Sequence, residues 1–255
     1  MIDFTLATFL LVFFRLTSFF LIAPVFSMRG VPATYKLGLG FFVSLLVVHV
    51  VGINSQVMFN GEYLLLIIKE VLVGLVLGLS ASIFIYALQM AGGLIDIMMG
   101  FSIVNVIDPQ TGSQAPVMGN FKYIIAILFL FFTDGHHLLI RGILNSFFLI
   151  PVNKWAPMLE GTISQALIEL FIRSFAISIQ IAAPLVAALF LVDVALGLIS
   201  RTVPQMNVFV VGIPVKILAG FMVLLLVLPG FGIILNLLFK ELFRSMELLT
   251  EIMVK

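Results

Sequence analysis

The sequence has no cysteine, one tryptophan, three histidines and only 10% charged residues. Without cysteine there can be no disulfide, thiolate zinc site, iron–sulfur cluster or thiol nucleophile. A soluble globular domain is about one quarter charged, so water is not the main solvent for this chain. Thirteen Lys and Arg stand against 12 Asp and Glu, for a net charge of +1. That balance advertises neither a nucleic-acid surface nor an acidic disordered tail. The nucleotide-binding pattern G-x-x-x-x-G-K-[ST] and the hydrolase pattern G-x-S-x-G are both missing. Asp108-Pro109-Gln110-Thr111-Gly112 lacks the lysine and following threonine of a phosphorylated-aspartate ATPase loop. No catalytic, cofactor-binding or metal-binding residue is expected. What is present is apolar: 62% of the 255 residues are hydrophobic, and the mean hydropathy is +1.28. The apolar runs are continuous rather than alternating, which selects helices over a barrel among the two structures a bilayer accepts. The expectation is one all-α integral membrane unit spanning residues 1–255.

A hydrocarbon core of ~30 Å takes about 20 helical residues. Leu37–Gly61, Val71–Ile95, Ser174–Val192 and Ile217–Phe239 are uncharged runs of that order. Phe4–Met28 is another, interrupted by Arg15 and Pro24. The sixth, Tyr123–Ile150, is broken by Asp134-Gly135-His136-His137 and reads as a bent or re-entrant hairpin, with Gly135 supplying the positive φ of the turn. Six spans place Arg29, Lys36, Lys122, Arg201 and Lys216 on one side, and Arg141, Lys154, Lys240, Arg244 and Lys255 on the other. The rule that positive loops stay inside therefore gives no orientation. The amino terminus, Met1-Ile2-Asp3, is acidic where a cleavable signal would be basic, and is expected to be retained.

Arg15, Lys69, Glu70, Asp96, Glu169, Arg173 and Asp193 lie in or beside apolar stretches. There each charge costs ~2.5–3.5 kcal/mol unless it is paired or hydrated. Glu169 and Arg173, four residues apart, are placed to neutralise each other on one helical face. Lys69 and Glu70 point about 100° apart and call for partners elsewhere. Arg15 has no local acid and calls for another helix or another subunit. Gly74, Gly78 and Ser82 form a small-residue row of the kind that lets helix backbones approach closely. Adjacent His136 and His137 lack a carboxylate cluster or an H-E-x-x-H pattern, which favours turn capping or an interfacial role over a metal.

The segment from Gly92 to Asn120 is Gly- and Pro-broken yet rich in Met, Phe, Ile and Val. Two readings stand: a short buried element that fills a core, or a mobile apolar plug that closes a pore by excluding water. The tail, Lys240–Lys255, is amphipathic. Leu242, Met246, Leu249 and Met253 share one face and Lys240, Arg244, Glu247, Glu251 and Lys255 another, which points to a helix that docks on a partner or caps the bundle.

Certain motifs occur in a telling order. They are Arg15 with Pro24, Pro32 and Lys36; Glu70 with Gly74 and Gly78; Gly92 through Met99-Gly100-Phe101-Ser102 to Asp108-Pro109; and Asp134-Gly135-His136. Last comes Arg201-Thr202-Val203-Pro204-Gln205-Met206-Asn207-Val208-Phe209, followed by Gly212, Pro214 and Lys216. Over essentially its whole length the chain resembles the flagellar branch of the FliR/SpaR family of type III protein export.

The resemblance implies a subunit of the export gate in the bacterial inner membrane, within the flagellar basal body. Such a subunit assembles with FliP and FliQ, is wrapped by FlhB and sits above FlhA, and unfolded secreted proteins pass through the channel. It further implies a FliP-like half joined to a FliQ-like half, about six hydrophobic segments with bent hairpins, and no catalysis. The family's plug carries over to Gly100–Pro116, with Phe101, Ile103, Val106 and Ile107 at the sealing positions and Asp108-Pro109 closing the loop. Arg15, Lys36, Glu70, Arg201 and Asn207 match motif positions expected to serve assembly, and Gly74 and Gly78 serve helix packing. The competing reading is a secondary transporter of a small solute built around Arg15, Glu169, Asp193 and the broken Tyr123–Ile150 element.

Overall fold

A computed structural model describes residues 2–28, 30–51, 57, 59–101, 116–154, 161–205 and 207–254. Of the residues named for the plug, Ile103, Val106, Ile107, Asp108 and Pro109 lie outside these, whereas Gly100 and Phe101 lie within them. The described residues form seven helices: α1 (Ile2–Ile22), α2 (Ala33–Val51), α3 (Gly61–Met99), α4 (Val117–Phe132), α5 (Gly135–Leu149), α6 (Thr162–Thr202) and α7 (Val208–Ile252). There is no strand among the described residues. The chain divides into two compact units. One is Met1–Phe84, Leu130–Phe171 and Phe239–Lys255, and the other is Ile85–Phe129 and Ile172–Leu238.

The span pattern differs from six even crossings. Among the described residues, three helices are long and apolar enough to cross a membrane, and the bent pair α4–α5 makes a fourth if it is counted as one span. Leu6–Ile22 and Ala33–His49 are shorter apolar helices. At ~1.5 Å per residue, the 39 residues of α3 extend ~58 Å, nearly twice the hydrocarbon thickness. Counting uncharged runs stopped this helix at Lys69-Glu70, but a helix passes through charged residues when its fold supplies their partners.

The first unit is organised by α1, whose Leu11, Val12, Leu16, Phe19 and Phe20 are completely buried. Phe9 meets Phe41 of α2 edge-on, with ring centroids 5.4 Å apart. Against α3 the contact is backbone to backbone. A Cβ on Gly74 would overlap the Ser18 hydroxyl and the Arg15 carbonyl, and one on Gly78 would sit 3.1 Å from the Phe19 carbonyl oxygen. The Ser82 hydroxyl completes the row by donating to the Ile22 carbonyl. The carboxyl-terminal tail is the last part of α7 and not a separate helix, and it buries Leu242, Met246, Leu249 and Met253.

The bend between α4 and α5 is 75°. Asp134, and not Gly135, takes the left-handed conformation, with φ 55°. Gly135 is already the first residue of α5, and it is needed for closeness: a Cβ there would lie 2.9 Å from Leu130 Cγ. Asp tolerates the left-handed region better than most residues, so the smaller residue is free to serve the tight contact.

In the second unit, a Cβ on Gly92 of α3 would overlap the backbone of Gly119 in α4, so these helices also cross in contact. A Cβ on Gly220 of α7 would meet Met99 Cε at 2.7 Å, which places the end of α3 against α7.

Candidate functional site

Two polar constructions sit in otherwise apolar surroundings, one in each unit.

In the first unit, Arg15 of α1 and Glu70 of α3 form a fully buried pair. The guanidinium meets the carboxylate in a fork: Nε donates to Oε2, and Nη2 donates to Oε1 at 2.9 Å. The remaining donors are used too. Nη1 donates to the Ser146 hydroxyl at 3.1 Å and Nη2 to the Ile150 carbonyl at 2.9 Å, and the Phe147 ring lies under the guanidinium carbon at 4.2 Å. Lys69 Nζ reaches Glu70 Oε1 at 2.7 Å, so these neighbours do share a partner across the ~100° that separates them on the helix. The long lysine stem covers that angle.

Lys69 also donates to the carbonyls of Pro151 and Lys154 at 2.9 Å and of Val152 at 3.3 Å. Two cations face one carboxylate here. The excess positive charge is spread over carbonyl oxygens just beyond the carboxyl end of α5, the negative end of a helix dipole. Burying charge is costly, and the cost is met here by a full set of charge-assisted hydrogen bonds.

In the second unit, the last turn of α3 ends at Gly100, whose φ of +86° lies in the glycine-favoured region. Gly100 N–H donates to the Ile97 carbonyl at 3.3 Å, and Phe101 N–H donates back to the Asp96 carbonyl at 3.0 Å. That is the paired bonding of a Schellman stop. The Asp96 carboxylate, almost fully buried, accepts from Met118 N–H, at the start of α4, at 3.1 and 3.2 Å. The described edges of the apolar segment Gly100–Pro116 thus lie beside one residue. Lys122, a turn further along α4, is also buried, with Nζ 5.9 Å from the Phe231 ring centroid.

The other singled-out residues are dispersed. Asn207 Oδ1 accepts from Val210 N–H at 3.4 Å and caps α7. Lys36 is half-buried and Arg201 exposed, and neither side chain has a partner among the described residues. Glu169 and Arg173 are both exposed and form no ion pair with each other, so the expected helical neutralisation is not made. Asp193 pairs with Lys216. His137 Nδ1 lies 3.5 Å from Asp134 Oδ1 across the first turn of α5. Donor atoms of Asp134, His136 and His137 fall within 4.8 Å of one another on this largely exposed turn.

Asp96 stands in the sequence as a charge in need of a partner, but its role is not legible there, because that partner is a backbone N–H 22 positions further along the chain. Ser146, Phe147 and the carbonyls of Ile150–Lys154 are not legible there at all, since nothing in their residue types announces them.

The sequence profile of Bacterial export proteins, family 1, matches residues 6–242. The chain belongs to this family. It is similar to the flagellar biosynthetic protein FliR of Bacillus subtilis (strain 168), with 43% identity over 240 residues, 94% of this chain and 93% of that protein. To FliR of Escherichia coli (strain K12) it is 27% identical over 231 residues, 90% of this chain and 88% of that protein. The Yop proteins translocation protein T of Yersinia pestis is 30% identical over 218 residues, 83% of this chain and 82% of that protein.

This export family is a non-enzymatic transport component of the flagellar and type III secretion apparatus, and the chain is therefore a membrane protein of that apparatus. Membership displaces the small-solute transporter reading. The residues that reading relied on are also engaged separately, Arg15 with Glu70 and Asp193 with Lys216, while Glu169 is exposed.

Proposed function

We propose that this chain is a gate subunit of the inner-membrane export apparatus at the flagellar basal body. It walls part of the channel through which unfolded flagellar proteins leave, and Gly100–Pro116 is the plug that closes it. FliP and FliQ are its partners in the hetero-oligomer, FlhB wraps the assembly, and FlhA lies below. The reading is carried by the family match over residues 6–242, which contains the whole apolar segment together with its flanks.

Other observations support it. The long helices α6 and α7, of 41 and 45 residues, follow each other across residues 203–207 and suit a FliQ-like half joined to a FliP-like one. Only 28% and 11% of their most apolar windows are buried within the chain, against 61% for α3, which leaves wide apolar faces for lipid and neighbouring subunits. Lys36, Arg201 and the α7 cap at Asn207 serve assembly at the surface. Arg15 and Glu70 serve it from inside, by setting the shape of the protomer.

The test is deletion of Gly100–Pro116 in the assembled complex. Ion leak through membranes holding the complex should rise. Unchanged conductance with intact assembly would refute the plug.

A further inference from the structure

Just past α5 the chain makes a tight turn over residues 151–154, closed by the Lys154 N–H donating to the Pro151 carbonyl at 3.4 Å. Three carbonyl oxygens of this turn converge on one atom. Lys69 Nζ donates to those of Pro151 and Lys154 at 2.9 Å and to that of Val152 at 3.3 Å. Glu70 Oε1, at 2.7 Å, is a fourth oxygen in the same shell. An ammonium has three donors, so four oxygens are more than its hydrogens can serve singly. Such a shell suits a cation held by its charge, in the way that backbone carbonyls replace the hydration shell of a bare ion.

Charge balance points the same way. Both Glu70 oxygens already accept from the Arg15 guanidinium, and that pair is neutral by itself. Lys69 is also 0% exposed, and it brings the buried set to one net positive charge, at a desolvation cost that Arg15 and Glu70 do not require. What Lys69 alone supplies is donors for the turn. Ile150 and Val152 are 2% and 1% exposed, whereas Pro151, Asn153 and Lys154 are exposed. The chain thus leaves a helix and reverses with carbonyls directed inward, and carbonyls buried outside a helix need donors from elsewhere.

We infer that Lys69 is the positioning residue for the turn at residues 151–154, an internal cation around which these carbonyls fold and which fixes where the chain leaves α5. The site is a monovalent-cation site of one carboxylate and three carbonyl oxygens, filled by the protein's own ammonium. This concerns the build of the protomer and does not rest on the reading of the plug.

The test uses the full chain in its native membranes. Because the sequence has no cysteine, Val152→Cys gives the only thiol of this chain, at a buried position of the turn. Its maleimide labelling rate is measured with Lys69, Lys69→Met and Lys69→Ala. Melting temperature is measured in parallel in chains that keep Val152. Methionine keeps a stem of similar length without the charge. Alanine removes the stem, and n-propylammonium carries the carbons and the ammonium that this variant lacks. Tetramethylammonium at equal ionic strength has the charge but no N–H.

Lys69→Met and Lys69→Ala should each raise the labelling rate at least about tenfold, as loss of buried hydrogen bonds from a charged donor implies. n-Propylammonium should return Lys69→Ala toward the parent rate and leave Lys69→Met unchanged, because methionine fills the space. Tetramethylammonium should change neither. Labelling of Lys69→Met at the parent rate would overturn the inference, since removing a lysine that served only Glu70 would lower the melting temperature and leave the turn closed. Labelling of Lys69→Ala that n-propylammonium does not slow would overturn it as well. Should both variants fail to fold, the yield of folded Lys69→Ala prepared with n-propylammonium throughout decides: recovery supports the inference, and no recovery refutes it.

Discussion

Arg15 and Glu70 are 55 positions apart in sequence and completely buried against each other, carboxylate oxygens meeting two guanidinium nitrogens. Removing one member of such a pair costs about 3–5 kcal/mol, because the other charge is left in a medium that cannot solvate it. The two members are not equivalent here. Glu70 is the acid for both Arg15 and Lys69. Glu70→Gln should therefore be the more damaging change, with Arg15→Leu milder because Lys69 still neutralises the carboxylate. Thermal denaturation of the detergent-solubilised chain would show this order, and an equal loss in both would contradict it.

Gly74 and Gly92 stand where another backbone already occupies the Cβ position, while Gly38 and Gly197 have nothing within 4 Å. Gly74→Ala and Gly92→Ala should reduce the folded yield several-fold, since backbone has to move. Gly38→Ala and Gly197→Ala should be neutral or raise stability by up to ~1 kcal/mol through helix propensity. Membrane-inserted yield and melting temperature separate the two classes.

At the α4–α5 bend the left-handed φ belongs to Asp134. Asp134→Gly and Asp134→Asn should be tolerated, whereas β-branched Asp134→Val should cost roughly 1–2 kcal/mol. Motility of cells carrying each variant, together with the melting temperature of the purified chain, would reveal the difference. Equal tolerance of valine would mean that the bend does not need this conformation.

Lys216 and Asp193 form a partly exposed ion pair between α7 and α6. Exchanging both residues should restore what either single charge reversal loses. The single losses should stay below about 1 kcal/mol, because both side chains are partly exposed. A double-mutant cycle on melting temperature measures the coupling, and strict additivity would argue against a working pair.

Asn207 caps α7 through its side-chain oxygen. Asn207→Ala should cost about 1 kcal/mol, and Asn207→Asp or Asn207→Ser should recover most of it. If assembly with partner subunits fails in all three variants while stability recovers in two, the side chain has a surface role beyond the cap.

Much of this architecture is legible in residue order. The amphipathic tail shows its buried face in the spacing of Leu242, Met246, Leu249 and Met253, because helical periodicity is a local property. The small-residue row at Gly74, Gly78 and Ser82 is readable for the same reason. Helix lengths were not: hydropathy counts treat Lys69-Glu70 as a stop, and α3 runs through them because Arg15 and the carbonyls after α5 are waiting there. The bend was found at the right residues but with the conformations of Asp134 and Gly135 exchanged, since the demand on Gly135 comes from Leu130 and not from the turn itself.

By itself the sequence determined the solvent, the helical class, the absence of thiol chemistry and the order of motifs that resembles the export family, because all of these depend on composition and local spacing. Only the tertiary structure decided which charges cancel. Glu169 and Arg173, placed by helical spacing to meet, do not pair, whereas Arg15 with Glu70, and Asp96 with the Met118 amide, do. The physical reason is dielectric. A pair exposed on a helix surface gains little from closing, while a charge enclosed by apolar side chains must find a donor or acceptor wherever in the chain the fold can supply one.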